Sequence, residues 1–249
     1  GEIGIKEINL LAQEITSYGT DLGLGWSLAK LLGKLNEIKS LEWIRVLYNY
    51  PRGVTDELLD AYRSLPKVCE YVDMPLQHIS TQILNSMRRG IDEKGTRKLI
   101  DRIKEKIPNC AIRTTMLVGY PGETEKDFQL LLEFVKETRF ARLGAFVFSP
   151  EERSIAARLP DQIPYKVAKE RTNQLLELQK TIMEEDNKKL VGTEISVLIE
   201  KLTDEGLLQG RTRFQAPEVD GDVFLNKTEA VPGEVIKGKI VETDGINLI

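Results

Sequence analysis

The chain is poor in cysteine and histidine. Among its 249 residues it has two cysteines, Cys69 and Cys110, and one histidine, His78. Two cysteines far apart argue against a disulfide framework, and these three residues offer no spacing suited to a metal site. Both cysteines lie beside apolar strand patterns, which predicts buried structural thiols. A lone histidine at a strand end is more typical of hydrogen-bonded structure than of a catalytic base.

Long hydrophobic runs are also missing. No stretch approaches the roughly 18 apolar residues of a membrane span, and the amino terminus lacks the basic and apolar regions of a secretory signal. With 41% hydrophobic and 30% charged residues, we expect a soluble cytoplasmic protein with one large domain, or one large and one small domain. The formal net charge of −4 argues against broad nucleic-acid binding, which needs clustered Lys and Arg.

Strands and amphipathic helices alternate over roughly the first 150 residues, which predicts a parallel sheet of right-handed βαβ units. Five units are too few for a closed eight-stranded barrel, so the pattern favours an open, partial (β/α) barrel with its site at the carboxyl ends of the strands. A doubly wound sheet is the alternative, but no G-x-G-x-x-G follows the first strand. The predicted strands are Ile8–Ala12, Ile44–Tyr48, Tyr71–Met74, Ile112–Val118 and Leu143–Phe148. The predicted helices are Leu28–Leu35, Asp56–Arg63, Ser80–Met87, Lys94–Lys106 and Glu125–Thr138.

The last third of the chain has a different pattern. Pro160 and Pro164 precede one long predicted helix, about Lys166–Leu190, with apolar residues on one face. Short alternating strands with Asp-Gly and Pro-Gly turns follow. We therefore expect two domains, a partial barrel with a linker helix over residues 1–189 and a small all-β barrel over residues 190–249.

The most informative segment is Arg113–Thr124, an apolar strand that runs into a Gly-Tyr-Pro-Gly turn before a helix. Thr124 is a candidate N-cap, and Asp127 can favour the exposed amides of the first turn. The glycines would allow the backbone to approach a ligand closely. A tight turn that binds nothing is the alternative.

Several segments in the same order resemble the radical S-adenosylmethionine (SAM) methylthiotransferases. Besides the glycine turn they are Ile8–Gln13, Thr16–Gly19, Trp43–Tyr48, Tyr71–His78 and Ile83–Arg89. Together they cover nearly the whole chain and are more specific than any one motif. The resemblance implies a radical SAM barrel followed by a TRAM domain, with SAM and [4Fe–4S] clusters as cofactors.

One motif of that family is missing. The family binds its cluster through a Cys-x3-Cys-x2-Cys loop after the first barrel strand, and two thiolates cannot replace the three ligands. By resemblance, Gly1 enters the fold near the end of the first barrel helix, and the cluster loop would precede it. We therefore expect a fragment that is inactive alone and holds no metal ligands itself.

The resemblance also implies a set of SAM-binding residues at the mouth of the barrel, with no catalytic residue assigned. Gln13 would lie near the methionine amine of SAM, or cap the following loop. Arg113 would bind the SAM carboxylate, or instead an internal acid such as Asp73. The glycine turn would lie near the adenine, and the residues ending the central strand should point toward the mouth. The complete set is Gln13, Gln77, His78, Arg113, Gly119, Tyr120, Pro121, Gly122 and Glu123.

The small barrel is predicted to be acidic. From Glu194 to Asp244 there are eleven acids and six bases, a net charge of −5, which suits a basic protein better than phosphate. A solvated face without a partner is the alternative. The segment Gly210–Gly221 resembles the branch that modifies an aspartate β-carbon in a basic small-subunit ribosomal protein, with RNA contact not favoured and no membrane. A tRNA methylthiotransferase and a non-catalytic binding or scaffold protein remain the other candidates.

Overall fold

The computed structural model describes residues 4–23, 25–226 and 229–249. Its first half is a five-stranded sheet in which every neighbouring pair of strands is parallel. The spatial order is the chain order, β1-β2-β3-β4-β5. This order confirms the prediction of sequential βαβ units and excludes a doubly wound sheet, whose strand order reverses at its centre. The strands are β1 Glu7–Leu10, β2 Trp43–Val46, β3 Val68–Asp73, β4 Ala111–Val118 and β5 Arg142–Val147.

Six α-helices accompany the sheet in the described part of the chain. They are α1 Leu28–Asn36, α2 Asp56–Ser64, α3 Thr81–Ser86, α4 Glu93–Lys106, α5 Glu125–Thr138 and α6 Tyr165–Leu190. The predicted N-cap of α5 is confirmed as a capping box. The Thr124 hydroxyl accepts from the Asp127 backbone N–H, and the Asp127 carboxylate accepts from the Thr124 N–H, which satisfies two otherwise free donors.

The two faces of the sheet pack against different parts of the protein. In β3, Val68 and Val72 belong to the main core with the helices, whereas Cys69 and Tyr71 belong to a second cluster that includes Ala216 of the last domain. This division follows from the period of two along a strand. Cys69 is fully buried, as predicted. Cys110 is only half-buried, and both thiols are free.

The all-β domain begins after α6. Its six-stranded sheet has the order β10-β11-β8-β7-β6-β9, and the helix before it ends at Leu190. The strands are β6 Glu194–Leu202, β7 Leu208–Thr212, β8 Val223–Leu225, β9 Val235–Lys239, β10 Thr243–Asp244 and β11 Asn247–Leu248. In the described part of the chain, no helix has the length and apolar character needed to cross a membrane.

Buried charges join the two domains. Arg45 of β2 is fully buried; its Nε lies 2.8 Å from a Glu7 oxygen and its Nη1 donates to the Arg213 carbonyl. The other oxygen of Glu7 lies 2.7 Å from Nη2 of Arg211 in β7. Because breaking one partner of a buried ion pair leaves an uncompensated charge, these contacts fix the small barrel on the sheet.

Candidate ligand site at the carboxyl end of the sheet

A pocket of about 340 Å³ lies where the strands of the sheet end. Each of the five strands contributes to it, either directly or through the loop that follows, because the carboxyl ends of parallel strands meet at one edge. The pocket contains three aromatic rings and two guanidinium groups, and no acid lines it. Its lining residues are Gln13, Tyr48, Asn49, Tyr50, Pro75, Gln77, Arg89, Arg113, Thr115 and Phe146.

Two of the lining residues have strained backbones. Tyr48 has φ +59° and Gln77 has φ +74°, in the left-handed region that costs a non-glycine residue about 1–2 kcal/mol. The Asp73 carboxylate accepts from the Tyr48 N–H at 2.9 Å, and the Gln77 N–H donates to the Thr115 carbonyl at 2.8 Å. Strain that is held by specific hydrogen bonds is typical of functional sites, and both side chains line this pocket.

Arg113 lines the pocket, and its guanidinium group is paired with two carboxylates. Its Nη1 lies 2.9 Å from Asp73, and its Nε lies 3.4 Å from Asp220 of the small barrel. Burial lowers the pKa of Arg113, but the two carboxylates more than offset it and the net shift is upward. The structure therefore contains the internal salt bridge that was one of the two expectations. A SAM carboxylate on its remaining nitrogen stays a prediction, as does the role of Gln13 and Gln77.

Arg89 was missed as a site residue. Its Nη2 donates to the Pro75 carbonyl at 2.6 Å, and its guanidinium carbon lies 4.9 Å from the centre of the Tyr50 ring. The buried Nε has no partner, and burial lowers the pKa of the group. Asn49 beside it has a buried Oδ1 that also lacks a donor. Arg89 belonged to a segment that carried the family resemblance, but nothing in the sequence showed that it would face the strand ends.

His78 lies outside the pocket, contrary to the expectation that it would point toward the mouth. It is fully buried, its Nδ1 accepts from the Ser80 N–H at 2.9 Å, and its Nε2 lies 3.4 Å from the Glu123 carboxylate. These contacts match the alternative of a structural histidine. The reason is that the chain turns inward after Gln77 and directs the next side chain into the core.

The glycine turn packs against helix α6 and does not line the pocket. A Cβ on Gly119 would lie 2.3 Å from the Cβ of Ala168, so glycine is needed there for helix contact. The buried Glu123 carboxylate accepts from the Gly119 N–H at 2.9 Å and pairs with Arg171 of α6 at 2.8 Å. Gly119 and Glu123 thus have an internal packing role here, and the contact of the turn Gly119, Tyr120, Pro121, Gly122 and Glu123 with an adenine stays a prediction.

The residues of the chain do not fit a [4Fe–4S] cluster. In the described ranges, no group of three or more His, Cys, Asp or Glu could hold a metal ion. Cys69 lies near the amino end of β3, and Cys110 directly precedes β4. Both cysteines are therefore at the end of the sheet opposite the pocket. Burial raises the pKa of Cys69 to about 11 and that of Cys110 to about 12, so neither is readily a thiolate.

Comparisons with known proteins point to one family. Residues 2–135 match the radical SAM superfamily, and residues 191–249 match the TRAM domain. The ribosomal protein uS12 methylthiotransferase RimO of Geobacter sulfurreducens is 44% identical over 248 residues, covering 99% of this chain and 56% of that protein. The same-named protein of Geotalea uraniireducens is 45% identical, covering 99% and 55%. The chain thus spans about half the length of these curated relatives. Among solved structures, coproporphyrinogen III oxidase (HemN) of Escherichia coli is 19% identical with a TM-score of 0.49, covering 64% of this chain and 37% of that one.

Proposed function

The chain belongs to the radical SAM superfamily, and from this premise we propose that it carries the SAM-binding barrel and the substrate-facing domain of a methylthiotransferase for ribosomal protein uS12. The supporting observation is that both of its domains align, in one continuous match, with proteins named for that reaction. The product would carry a methylthio group on the β-carbon of an aspartate, and the reaction would take place in the cytoplasm, where ribosomes are.

The pocket at the strand ends is the place where this chain would hold SAM. The pocket has three aromatic rings, those of Tyr48, Tyr50 and Phe146, which offer apolar faces for an adenine. Arg89 has an unpaired hydrogen-bond donor and Asn49 an unpaired acceptor, and these suit the carboxylate and amino groups of SAM. When bound, SAM supplies radical chemistry at an unactivated C–H bond and a methyl group. The contribution of the chain is to bind and orient the reactants and to exclude water. No step is assigned to a cluster, because these residues do not fit one.

The small barrel supports a basic protein as substrate. Arg211 is buried against Glu7, and Arg213 pairs with Glu70 of the barrel domain at 2.7 Å, so neither contributes its full charge to the outer surface. The exposed bases of the described part of this domain are Lys201, Lys237 and Lys239. Its exposed acids, apart from the one that pairs with Arg211, are Glu194, Asp204, Glu205, Glu218, Glu229, Glu234, Glu242 and Asp244. A surface of this sign attracts a basic protein and repels phosphate.

A chimera tests the proposal. The matching part of the Geobacter sulfurreducens protein, 56% of its length, is replaced by this chain, and the product is reconstituted anaerobically with iron and sulfide. Incubation with SAM and uS12, followed by peptide mass spectrometry, is expected to find a methylthio group on one aspartate. The native relative is the positive control. This chain alone is the negative control and is expected to cleave no SAM.

The other candidate functions predict different outcomes. A chimera that cleaves SAM but modifies tRNA in place of uS12 would identify a tRNA methylthiotransferase. A chimera that binds uS12 without cleaving SAM, while the native relative does cleave it, would favour a binding or scaffold protein. Cleavage of SAM with neither substrate modified would refute the proposed substrate.

A further inference from the structure

Arg89 is the cation of the pocket that lacks a carboxylate partner within the described residues. Arg113, the other guanidinium, is shared between Asp73 and Asp220, and no acid lines the pocket. Glu14 acts on the charge of Arg89 only through space, without an ion pair. A half-buried guanidinium whose only side-chain donation is to a neutral carbonyl, at Pro75, retains most of its desolvation cost.

The geometry around Arg89 favours a planar anion. Its guanidinium carbon lies 4.9 Å from the centre of the Tyr50 ring, a contact that holds the group beside the ring, and the Tyr50 hydroxyl donates to the Arg89 carbonyl at 2.7 Å. The unpartnered Nε leaves one edge of the guanidinium fork unsatisfied. Carboxylates match such an edge with two parallel hydrogen bonds.

Asn49 provides the complementary group. It is 1% exposed, its amide nitrogen donates to the Tyr62 hydroxyl and to the Asp73 carbonyl, and its Oδ1 has no donor. Exchanging oxygen and nitrogen would place the amide oxygen against the Asp73 carbonyl, which can only accept, and would lose that hydrogen bond. The pocket thus combines an unsatisfied donor edge with an unsatisfied acceptor, which is the pattern complementary to a carboxylate next to an N–H group.

We propose that Arg89 and Asn49 form a carboxylate-binding subsite, in which Arg89 binds the carboxylate and Asn49 accepts from the neighbouring N–H. Two reactants of the proposed function have this chemistry: the amino-acid end of SAM, and the target aspartate with its backbone N–H. The choice between these two sources rests on the proposed function, whereas the subsite rests on the contacts of Arg89 and Asn49.

Matched ligands test the subsite on the unmodified chain. S-adenosylhomocysteine is compared with 5′-methylthioadenosine, which lacks the amino-acid end, and N-acetyl-aspartate methylamide is compared with its asparagine counterpart. Binding is followed by NMR of the arginine Nε–H signals in ¹⁵N-labelled protein, with the Arg89 signal identified by its absence in Arg89→Lys. We expect the signal to shift with the carboxylate-bearing member of at least one pair and to remain unchanged with its neutral counterpart. The pair that responds identifies the source of the carboxylate.

Variants then locate the effect. Arg89→Gln is expected to weaken the carboxylate ligand roughly 10- to 100-fold, the loss typical of a hydrogen bond to a charged group, and Arg89→Lys to restore it only in part. Arg88→Gln, which removes the same charge from the exposed neighbouring residue, is expected to leave the affinity unchanged. The unfolding midpoint of each variant is measured as a control for folding.

Three results would overturn the subsite. Equal affinity for the carboxylate-bearing and the neutral member of both ligand pairs would show that the pocket does not recognise a carboxylate through Arg89. Equal affinity in the Arg88→Gln and Arg89→Gln proteins would assign the effect to long-range charge. Carboxylate binding that appears only in Glu14→Gln would mean that Glu14 is the partner of Arg89. A chimera that fails to modify uS12 would refute the proposed function without changing any of these binding results.

Discussion

Replacing Gly119 by alanine should test whether the glycine turn exists for helix packing. The added Cβ would lie 2.3 Å from the Ala168 Cβ and 3.3 Å from its Cα, and Gly119 has φ +78°. The left-handed backbone alone costs a residue with a Cβ about 1–2 kcal/mol, and overpacking adds about 1–3 kcal/mol. We therefore expect Gly119→Ala to lower the free energy of unfolding by about 2–5 kcal/mol in total.

Gly122 provides a matched control in the same turn. It has φ +82° but no atom within 4 Å of an added Cβ, so Gly122→Ala should cost only the backbone term of about 1–2 kcal/mol. The difference between the two variants isolates the contact with α6. Urea unfolding followed by tryptophan fluorescence is suitable, because the only two tryptophans, Trp26 and Trp43, lie in the barrel domain.

The double variant Gly119→Ala/Ala168→Gly should be more stable than the sum of the single changes predicts, because it removes the atom that the new Cβ would strike. Ala168→Gly by itself should cost about 1 kcal/mol through lower helix propensity. Equal destabilisation by Gly119→Ala and Gly122→Ala, or strict additivity in the double variant, would refute the packing role. The turn would then be free for the ligand contact that the sequence suggested.

Three further predictions concern single groups. Burial raises the pKa of the Asp127 carboxyl, but hydrogen bonds to the carboxylate outweigh this and the net shift is downward. Asp127→Ala should therefore lower the free energy of unfolding by about 1 kcal/mol at pH 7 and by progressively less below about pH 4. A loss that does not change with pH in urea unfolding would contradict this. Cys69 is fully buried and burial raises its pKa, so it should resist a thiol-specific disulfide reagent at pH 8 until the protein unfolds, whereas the half-buried Cys110 should react faster; equally rapid reaction of both thiols in the folded protein would contradict this. Asp220→Ala should destabilise the protein by about 3 kcal/mol, because the buried Tyr71 hydroxyl and Ala216 N–H, which both donate to its carboxylate, would lose their acceptor. A loss below about 1 kcal/mol in unfolding experiments would mean that these contacts are replaceable.

The strands, helices and capping box were predictable because they depend on local patterns. Alternation with period two, helical periodicity and the Thr124–Asp127 spacing are each visible within a few residues of sequence. The α/β class followed from the order of these patterns. The half-buried state of Cys110 could not be predicted, because Cys110 lines a cavity that residues of α6 and of the small barrel form together, and these lie far away in the sequence.

The composition of the pocket was less predictable. Tyr48, Asn49 and Arg89 come together because parallel strands end at one edge, and a sequence pattern does not show which side chain of each loop turns inward. His78 and the glycine turn were placed at the mouth because they follow strands, yet the long helix α6 packs over the turn and Glu123 approaches His78 from the core. The contacts that decided their positions lie far away in the sequence.

The buried charges between the domains limit how this architecture can be altered. Glu7 pairs with Arg45 in the barrel and with Arg211 in the small domain, and Asp220 reaches from the small domain to Arg113 beside the pocket. The second domain therefore cannot be exchanged for an unrelated domain without the loss of these ion pairs. A recognition domain grafted from another protein would have to bring its own equivalents of Arg211 and Asp220, or the barrel would expose unmatched charge. Any substrate held on the acidic surface would also be presented to the pocket at a fixed distance and angle.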